Sequence, residues 1–256
     1  MADWISRFSL AGRKALVTGA SKGIGAEICA VYADAGADVV AVARDAEGLR
    51  TTADAVRARG RSCLVVEADL ASSDGPASVA RRALAQWGTI DILVNNAGVA
   101  RLGPALELDL AAWDHTMAVN VRAPFALAQA LAPAMIAQRW GKIVNVSSQT
   151  GVVALDDHAA YASSKGALNA LTKSLMVEWA RHNVQVNAIC PTVVMTPMGK
   201  KVWSAEAKAG PYREATPLRR FGEPVEIADL ALYLASPAAE LVNGAIIMIE
   251  GGFSSV

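Results

Sequence analysis

Tyr161 and Lys165, four residues apart, open a stretch of helix-forming residues. That spacing places both side chains on one face of a helix. An ammonium beside a phenol favours the phenolate and lowers the phenol's pKa. A tyrosine so placed can give and take a proton near neutral pH, which an isolated tyrosine of pKa about 10 does not. By itself the pair reads first as an exposed helix-surface contact. The preceding apolar run, Ile143-Val144-Asn145-Val146-Ser147-Ser148, ends in two hydroxyls. The carboxyl ends of strands in an open α/β sheet are where ligands bind. Ser148 there can hydrogen-bond a substrate carbonyl oxygen and stabilise charge developing on it.

A second constellation lies near the start, in Thr18-Gly19-Ala20-Ser21-Lys22-Gly23-Ile24-Gly25. Gly19, Gly23 and Gly25 permit a sharp turn and close approach of a ligand. The free N–H groups and positive end of the following helix attract a pyrophosphate. A plain tight turn would use glycine too, but placement between a first strand and a first helix favours a dinucleotide site. The next strand ends in Val42-Ala43-Arg44-Asp45. A carboxylate at position 43 would bind the ribose diol of NAD and repel a 2′-phosphate; alanine does neither. Arg44 can pair with a 2′-phosphate through its planar fork, and Lys22 offers a second charge. NADP(H) is therefore the expected cofactor, with NAD(H) as the alternative. Asp45 reads as the N-cap of a helix starting near Ala46.

Asn95-Asn96-Ala97-Gly98 closes a further apolar run, where small residues let a cofactor ring pass close to the backbone; an Asn-Gly type of turn is the plainer reading. Asn120 lies inside a long helical pattern. Asparagine disfavours a helix interior, so a local break or a polar contact is expected, and Pro124 supports a break. His158 precedes Tyr161 by three residues and suits either a site or a capping role. His115 and His182 read as surface residues at helix ends.

These residues need a scaffold, and the apolar pattern supplies one. Seven short Val- and Ile-rich runs are candidate strands: 15–17, 39–42, 63–66, 90–94, 143–146, 184–189 and 245–249. Helical patterns fall between them at about 24–36, 46–59, 75–87, 110–138, 159–181 and 224–236. Runs apolar on both faces, alternating with helices, predict a doubly wound parallel sheet with helices on both faces. No linker divides the chain, so residues 1–256 are expected to form one domain. The segment of about 192–222 breaks the alternation, with at most short helices, and is a candidate substrate loop.

Composition narrows the partners. Twenty-four Lys and Arg balance twenty-four Asp and Glu, which leaves no general pull towards nucleic acid or an anionic membrane. No run of about 18 apolar residues occurs, so no membrane span is expected. The first seven residues do not read as a signal peptide. Three scattered cysteines, Cys29, Cys63 and Cys190, fit a reducing cytoplasm rather than a disulfide framework. No His/Cys/Asp cluster has zinc-ligand spacing, so no metal is expected.

From about Leu10 to Phe253 the chain resembles the short-chain dehydrogenase/reductase family. The likeness rests on TGxxxGIG at 18–25, NNAG at 95–98, Asn120, Ser148 and YxxxK at 161–165. It implies a Rossmann-type fold with Tyr161 as general acid/base and Ser148 orienting the substrate oxygen. Lys165 would bind the nicotinamide ribose and depress the tyrosine pKa, and Asn120 would hold a water in the proton relay. The cofactor would lie on Gly19, Ser21, Lys22, Gly23, Ile24, Gly25 and Arg44. Further along it would meet Asp69 and Leu70 at the adenine, then Asn96, Ala97 and Gly98, and finally Pro191, Val194 and Thr196. The stretch Pro191-Thr192-Val193-Val194-Met195-Thr196, then Trp203-Ser204, Phe221 and Glu250-Gly251-Gly252-Phe253, is similar to the L-xylulose reductase and tetrameric carbonyl reductase branch. That likeness implies Gln149, Leu155, His158 and Trp203 as substrate contacts beside Ser148, a small carbonyl or polyol substrate, and a homotetramer. Two alternatives stay open: an NAD-dependent polyol or secondary-alcohol dehydrogenase, and a non-catalytic dinucleotide-binding sensor.

Overall fold

Alternate residues of each apolar run face different helical layers. The computed structural model describes residues 3–256, and the side chains of all of these but Met198, Val202 and Lys208. Its strands are β1 (Lys14–Thr18), β2 (Asp38–Ala43), β3 (Cys63–Glu67), β4 (Ile92–Asn95), β5 (Gly141–Val146), β6 (Val184–Pro191) and β7 (Ile246–Ile249). All pair in parallel in one sheet of order β3-β2-β1-β4-β5-β6-β7. The helices are α1 (Gly23–Asp34), α2 (Ala46–Arg57), α3 (Gly75–Trp87), α4 (Leu110–Met117), α5 (Ala123–Ala137), α6 (Ala159–Trp179), α7 (Pro197–Val202), α8 (Glu206–Ala215) and α9 (Pro224–Ala235).

Ala15, Val17, Val39, Ala41, Ile92 and Val94 pack with Ile28 and Tyr32 of α1, Leu49 of α2 and Leu234 of α9. Their neighbours Leu16, Val40, Val42 and Leu93 pack with Val79 of α3, Leu127 and Leu131 of α5 and Leu175 of α6. Period-two alternation in strands buried on both sides therefore builds two cores, one on each face. The seven strands and the doubly wound arrangement agree with the pattern in the sequence. The Tyr32 hydroxyl donates to the Ala231 carbonyl at 2.9 Å and ties α1 to α9.

Two elements differ from the sequence expectation. The single helix expected over 110–138 is α4 and α5 joined by a π turn, Ala118–Arg122, which carries Asn120. Both consequences expected of Asn120, a break and a polar contact, occur there. The 192–222 segment holds more helix than its Gly and Pro content predicts. Thr196 caps α7 by accepting from the Gly199 N–H at 3.0 Å. Arg213 grips both carboxylate oxygens of Glu206, spanning α8 and holding it together around Pro211. A bridge between Val194 and Gly222 closes the segment at its base. No helix among the described residues is long and apolar enough to cross a membrane.

The edge of the sheet away from the strand carboxyl ends holds a buried amine. Lys142 of β5 is 1% exposed, and its Nζ lies 5.8 Å from the Trp140 ring with no hydrogen-bond partner. Burial lowers its pKa to about 8; Glu240 opposes the shift and Arg13 adds to it. In the unfolded chain the amine titrates near its ordinary 10.5. Below about pH 8 the folded state therefore bears the full cost of an ammonium without a partner. As pH rises from there to 10.5 the native state sheds its proton first and the cost fades. Lys142→Met should raise stability in urea denaturation at pH 7 by on the order of 1 kcal/mol. The gain should shrink as the pH is raised from about 8 towards 10.5.

Candidate active site

The strand order reverses between β1 and β4, and a crevice opens at their carboxyl ends. Thr18 and Asn96 fasten its two walls together. The Thr18 hydroxyl accepts from the Asn96 and Ala97 N–H groups, each at 3.0 Å, and the Asn96 amide donates to the Thr18 carbonyl at 2.8 Å. That amide leaves no room for side chains on the facing turn. A Cβ on Gly19, whose φ is +66°, would lie 2.8 Å from Asn96 Nδ2; one on Gly25 would lie 2.3 Å from the Gly19 carbonyl oxygen. The first turn of α1 follows with no side-chain cap, so its N–H groups are free for an anion.

The turn and the ends of β2, β3 and β4 surround a cavity of about 570 Å³, large enough for a cofactor. Gly19, Ser21, Lys22, Gly23 and Ile24 form one wall. Arg44, Asp69 and Leu70 lie at the ends of β2 and β3, and Asn96, Ala97 and Gly98 at the end of β4. Thr196 reaches in from the start of α7. Lys22 and Arg44 are exposed and make no ion pair among the described residues. Asp45 caps α2 by accepting from the Gly48 N–H at 3.1 Å, as its position predicts. Gly25, Pro191 and Val194 do not line the cavity: Gly25 sits behind Gly19, Pro191 ends β6, and Val194 is taken up in the bridge to Gly222.

Gly98 joins the cavity to the candidate catalytic group, since a Cβ on it would lie 3.5 Å from both Lys165 Nζ and Asn120 Oδ1. Lys165 is 3% exposed, and its Nζ donates to the Val146 carbonyl at 2.8 Å and lies 5.6 Å from the Tyr161 ring centre. Ser147 donates to the Lys165 carbonyl, so the end of β5 is stitched to α6. The Ser148 hydroxyl accepts from the Thr150 hydroxyl at 2.9 Å. Asn120 accepts from the Val99 N–H and donates to the Val99 carbonyl, each at 2.9 Å, and donates to the Ser164 hydroxyl at 3.0 Å. The π turn lets this amide leave the helix face and hold the loop after β4.

The electrostatics run opposite to the expectation from spacing. Burial pushes the Tyr161 phenol up, the Ser148 hydroxyl pulls it back and the nearby Cys190 thiol adds to the rise. Burial lowers the Lys165 amine to about 8. Desolvation is the largest cause of both shifts.

Of the candidate substrate contacts, Gln149 is 1% exposed and follows Ser148 in a short 3-10 turn. Leu155 is half-buried in the loop beyond it. His158 precedes α6 without capping it, and its ring sits edge-on to Tyr161 at 6.2 Å, so the capping role is not the one it fills. Trp203, at the end of α7, packs against Tyr212 at 4.9 Å and Phe221 at 5.6 Å. Four further residues were given no site role in the sequence. Tyr212 meets Gln149 through its hydroxyl, Cys190 adjoins Tyr161 and Lys165, and Arg101 and His115 line the cavity. His115, read as a surface residue, is instead half-buried on the cavity wall, because the last turn of α4 faces the loop after β4. No group of His, Cys, Asp and Glu among the described residues is placed to hold a metal ion.

A family model described as Enoyl-(Acyl carrier protein) reductase matches residues 19–254. A D-threitol dehydrogenase of Mycolicibacterium smegmatis is 43% identical over 252 residues, which is 96% of this chain and 95% of that protein. An L-xylulose reductase of Mus musculus is 44% identical over 248 residues, 95% of this chain and 97% of that one. Among solved structures, a gluconate 5-dehydrogenase from Burkholderia cenocepacia J2315 in complex with NADP and tartrate is similar at a TM-score of 0.93. It is 34% identical, and the match covers 99% of this chain and 100% of that one. Likeness of this degree, sustained from the phosphate turn to the C-terminus, makes the protein a dehydrogenase/reductase of the short-chain dehydrogenase/reductase family.

Proposed function

We propose that the protein is an NADP(H)-dependent oxidoreductase that interconverts a small ketose or dicarbonyl and the corresponding polyol or alcohol. The observation that carries this reading is the junction at Gly98. There a group of half-buried Tyr161 with buried Ser148 and Lys165 meets a cavity whose outer rim bears Lys22 and Arg44, which have no acidic partners among the described residues. The names of the relatives, a threitol dehydrogenase and a xylulose reductase, support the substrate class.

The cavity fits a dinucleotide on two counts: glycines where a Cβ would strike the facing wall, and uncapped helix N–H groups for a pyrophosphate. A nicotinamide bound there supplies the hydride for reduction of the carbonyl carbon, or takes it from the alcohol. Ser148 holds the substrate oxygen. Tyr161 gives that oxygen its proton in reduction and removes it in oxidation. Lys165 binds the nicotinamide ribose, and Asn120 holds a water behind it in the proton path. Gly25, Pro191 and Val194 shape the cofactor site from behind the cavity wall. Gln149, Leu155, His158 and Trp203 contact the substrate, and the segment 192–222 closes over it. Residues 1–256 act as one catalytic domain, with a homotetramer in the cytoplasm as the working form.

The raised phenol keeps Tyr161 protonated at neutral pH, which suits an acid. Oxidation needs the phenolate. The rate of alcohol oxidation should therefore climb as pH rises above neutrality, while carbonyl reduction should not, in pH profiles of kcat/KM for both directions. Tyr161→Phe should lower turnover by roughly two orders of magnitude or more and leave NADPH binding largely intact. Near-wild-type turnover in that variant, or cofactor binding without turnover of any carbonyl by the wild type, would favour a dinucleotide sensor. Arg44→Ala should weaken NADPH by about ten- to a hundredfold and barely change NADH, since a charge-assisted hydrogen bond to the 2′-phosphate is worth about 1.5–3 kcal/mol. Comparison of kcat/KM for the two cofactors checks this. A wild-type preference for NADH would make Asp45, about twenty residues after the glycines, the leading candidate for the ribose ligand.

A further inference from the structure

Tyr212 stands in the middle of an aromatic cluster on the 192–222 segment. Its ring stacks on Phe253 at 4.9 Å with the planes 17° apart, and Trp203 and Phe221 pack around it. Aromatic packing accounts for the ring but not for where its hydroxyl goes. The Gln149 amide Nε2 donates to the Tyr212 Oη, across 63 residues of sequence. Gln149 directly follows Ser148, and Thr192 directly follows Pro191 at the end of β6, the neighbour of β5. All three polar groups therefore meet at the carboxyl edge of adjacent strands, beside the serine that holds the reacting oxygen.

Gln149 Oε1 is buried with no hydrogen-bond partner, and Thr192 Oγ1 is buried beside it. Thr192 and Gln149 both hydrogen-bond the Tyr212 phenol, pulling its pKa down against the rise that burial causes, so the two side chains flank one hydroxyl and keep acceptor capacity to spare. Buried polar atoms without partners are rare in folded proteins and call for a physical reason. Tyr212 fixes the amide by occupying its donor side, which leaves the amide oxygen as an acceptor of set orientation. Thr192 offers a hydroxyl that both donates and accepts. A ligand with hydroxyls beside the reacting carbon supplies the missing partners; a diketone without hydroxyls does not.

We propose that Tyr212 is a specificity-determining residue which, with Gln149 and Thr192, forms a polar triad that recognises the hydroxyl groups flanking the reacting carbon of a polyhydroxy substrate. This rests on the reading of the protein as a ketose and polyol oxidoreductase, and it adds a residue of the closing segment to the substrate site. Tyr212 selects by hydrogen bonding, whereas Trp203 and Phe253 contribute surface. A site built to bond a substrate hydroxyl discriminates strongly against an analogue that lacks it, because its own groups are then left unpaired.

The test compares two four-carbon carbonyls, erythrulose and butane-2,3-dione, with NADPH. The quantity read is the ratio of their kcat/KM values. Tyr212→Phe keeps the ring and its stacking on Phe253 and removes only the hydroxyl. Thr192→Val removes the other hydroxyl at nearly constant shape. Each variant should lower the erythrulose-to-dione ratio by about tenfold, chiefly through KM for erythrulose, as expected for loss of one hydrogen bond in a buried site. If Tyr212→Phe does not fold, Thr192→Val decides. An unchanged ratio in the folded variants, or an equal loss on both substrates, overturns the proposal and leaves Tyr212 a structural member of the segment. No turnover of erythrulose by the wild type overturns the ketose reading and this inference with it, and is distinguishable because it appears before any substitution is made.

Discussion

The pairing of Thr18 with Asn96 is the constraint on which the site depends. Parallel strands running outward from β1 in both directions leave their two loops free to part at the point of reversal. A hydroxyl that accepts two backbone N–H groups, and an amide that donates back to the strand carrying that hydroxyl, hold them at a set separation. The separation is too small for any side chain on Gly19 or Gly25 and wide enough for the cavity beside them. Because Asn96 and Gly98 lie in one short loop, the same fastening sets the distance from the phosphate turn to Lys165. The phosphate turn and Lys165 are thus in register through two residues.

The two ends are electrostatically unlike. Lys22 and Arg44 stand in water, where they keep their charge and can meet an anion at little desolvation cost. Lys165 is buried and Tyr161 half-buried, and desolvation drives each towards its neutral form. The Val146 carbonyl receives the lysine and limits that cost with one hydrogen bond.

Much of this was legible in the chain. Period-two alternation in Ala15-Leu16-Val17 and its counterparts encodes two cores, and Gly19, Gly23 and Asn96 line the cavity at the ends of the strands that their positions predict. Spacing reports neighbours and says nothing of dielectric, which is why the direction of the Tyr161 shift was not legible. Tyr212 was invisible for a different reason. Its partner lies 63 residues away, and only the path of the 192–222 segment brings them together. The length of α8 depends on the Arg213–Glu206 pair, a side-chain contact that overrides the local signal of Gly210 and Pro211. His115 lies near a helix end and faces inward, a distinction that a helical pattern interrupted by a π turn conceals.

The π turn at Ala118–Arg122 sets a limit on how this chain can vary in length. One residue of α-helix turns the following face by about 100°. The extra residue in the wide turn therefore acts as a phase shifter between α4, whose last turn meets the cavity, and α5, which buries Leu127 and Leu131 against the sheet. Loss of a single residue there would restore an unbroken helix and put those two faces out of phase, carrying Asn120 away from Val99. Surface loops tolerate changes of length that this interior helix cannot. Its frame is as narrowly set as the identity of the residues it carries.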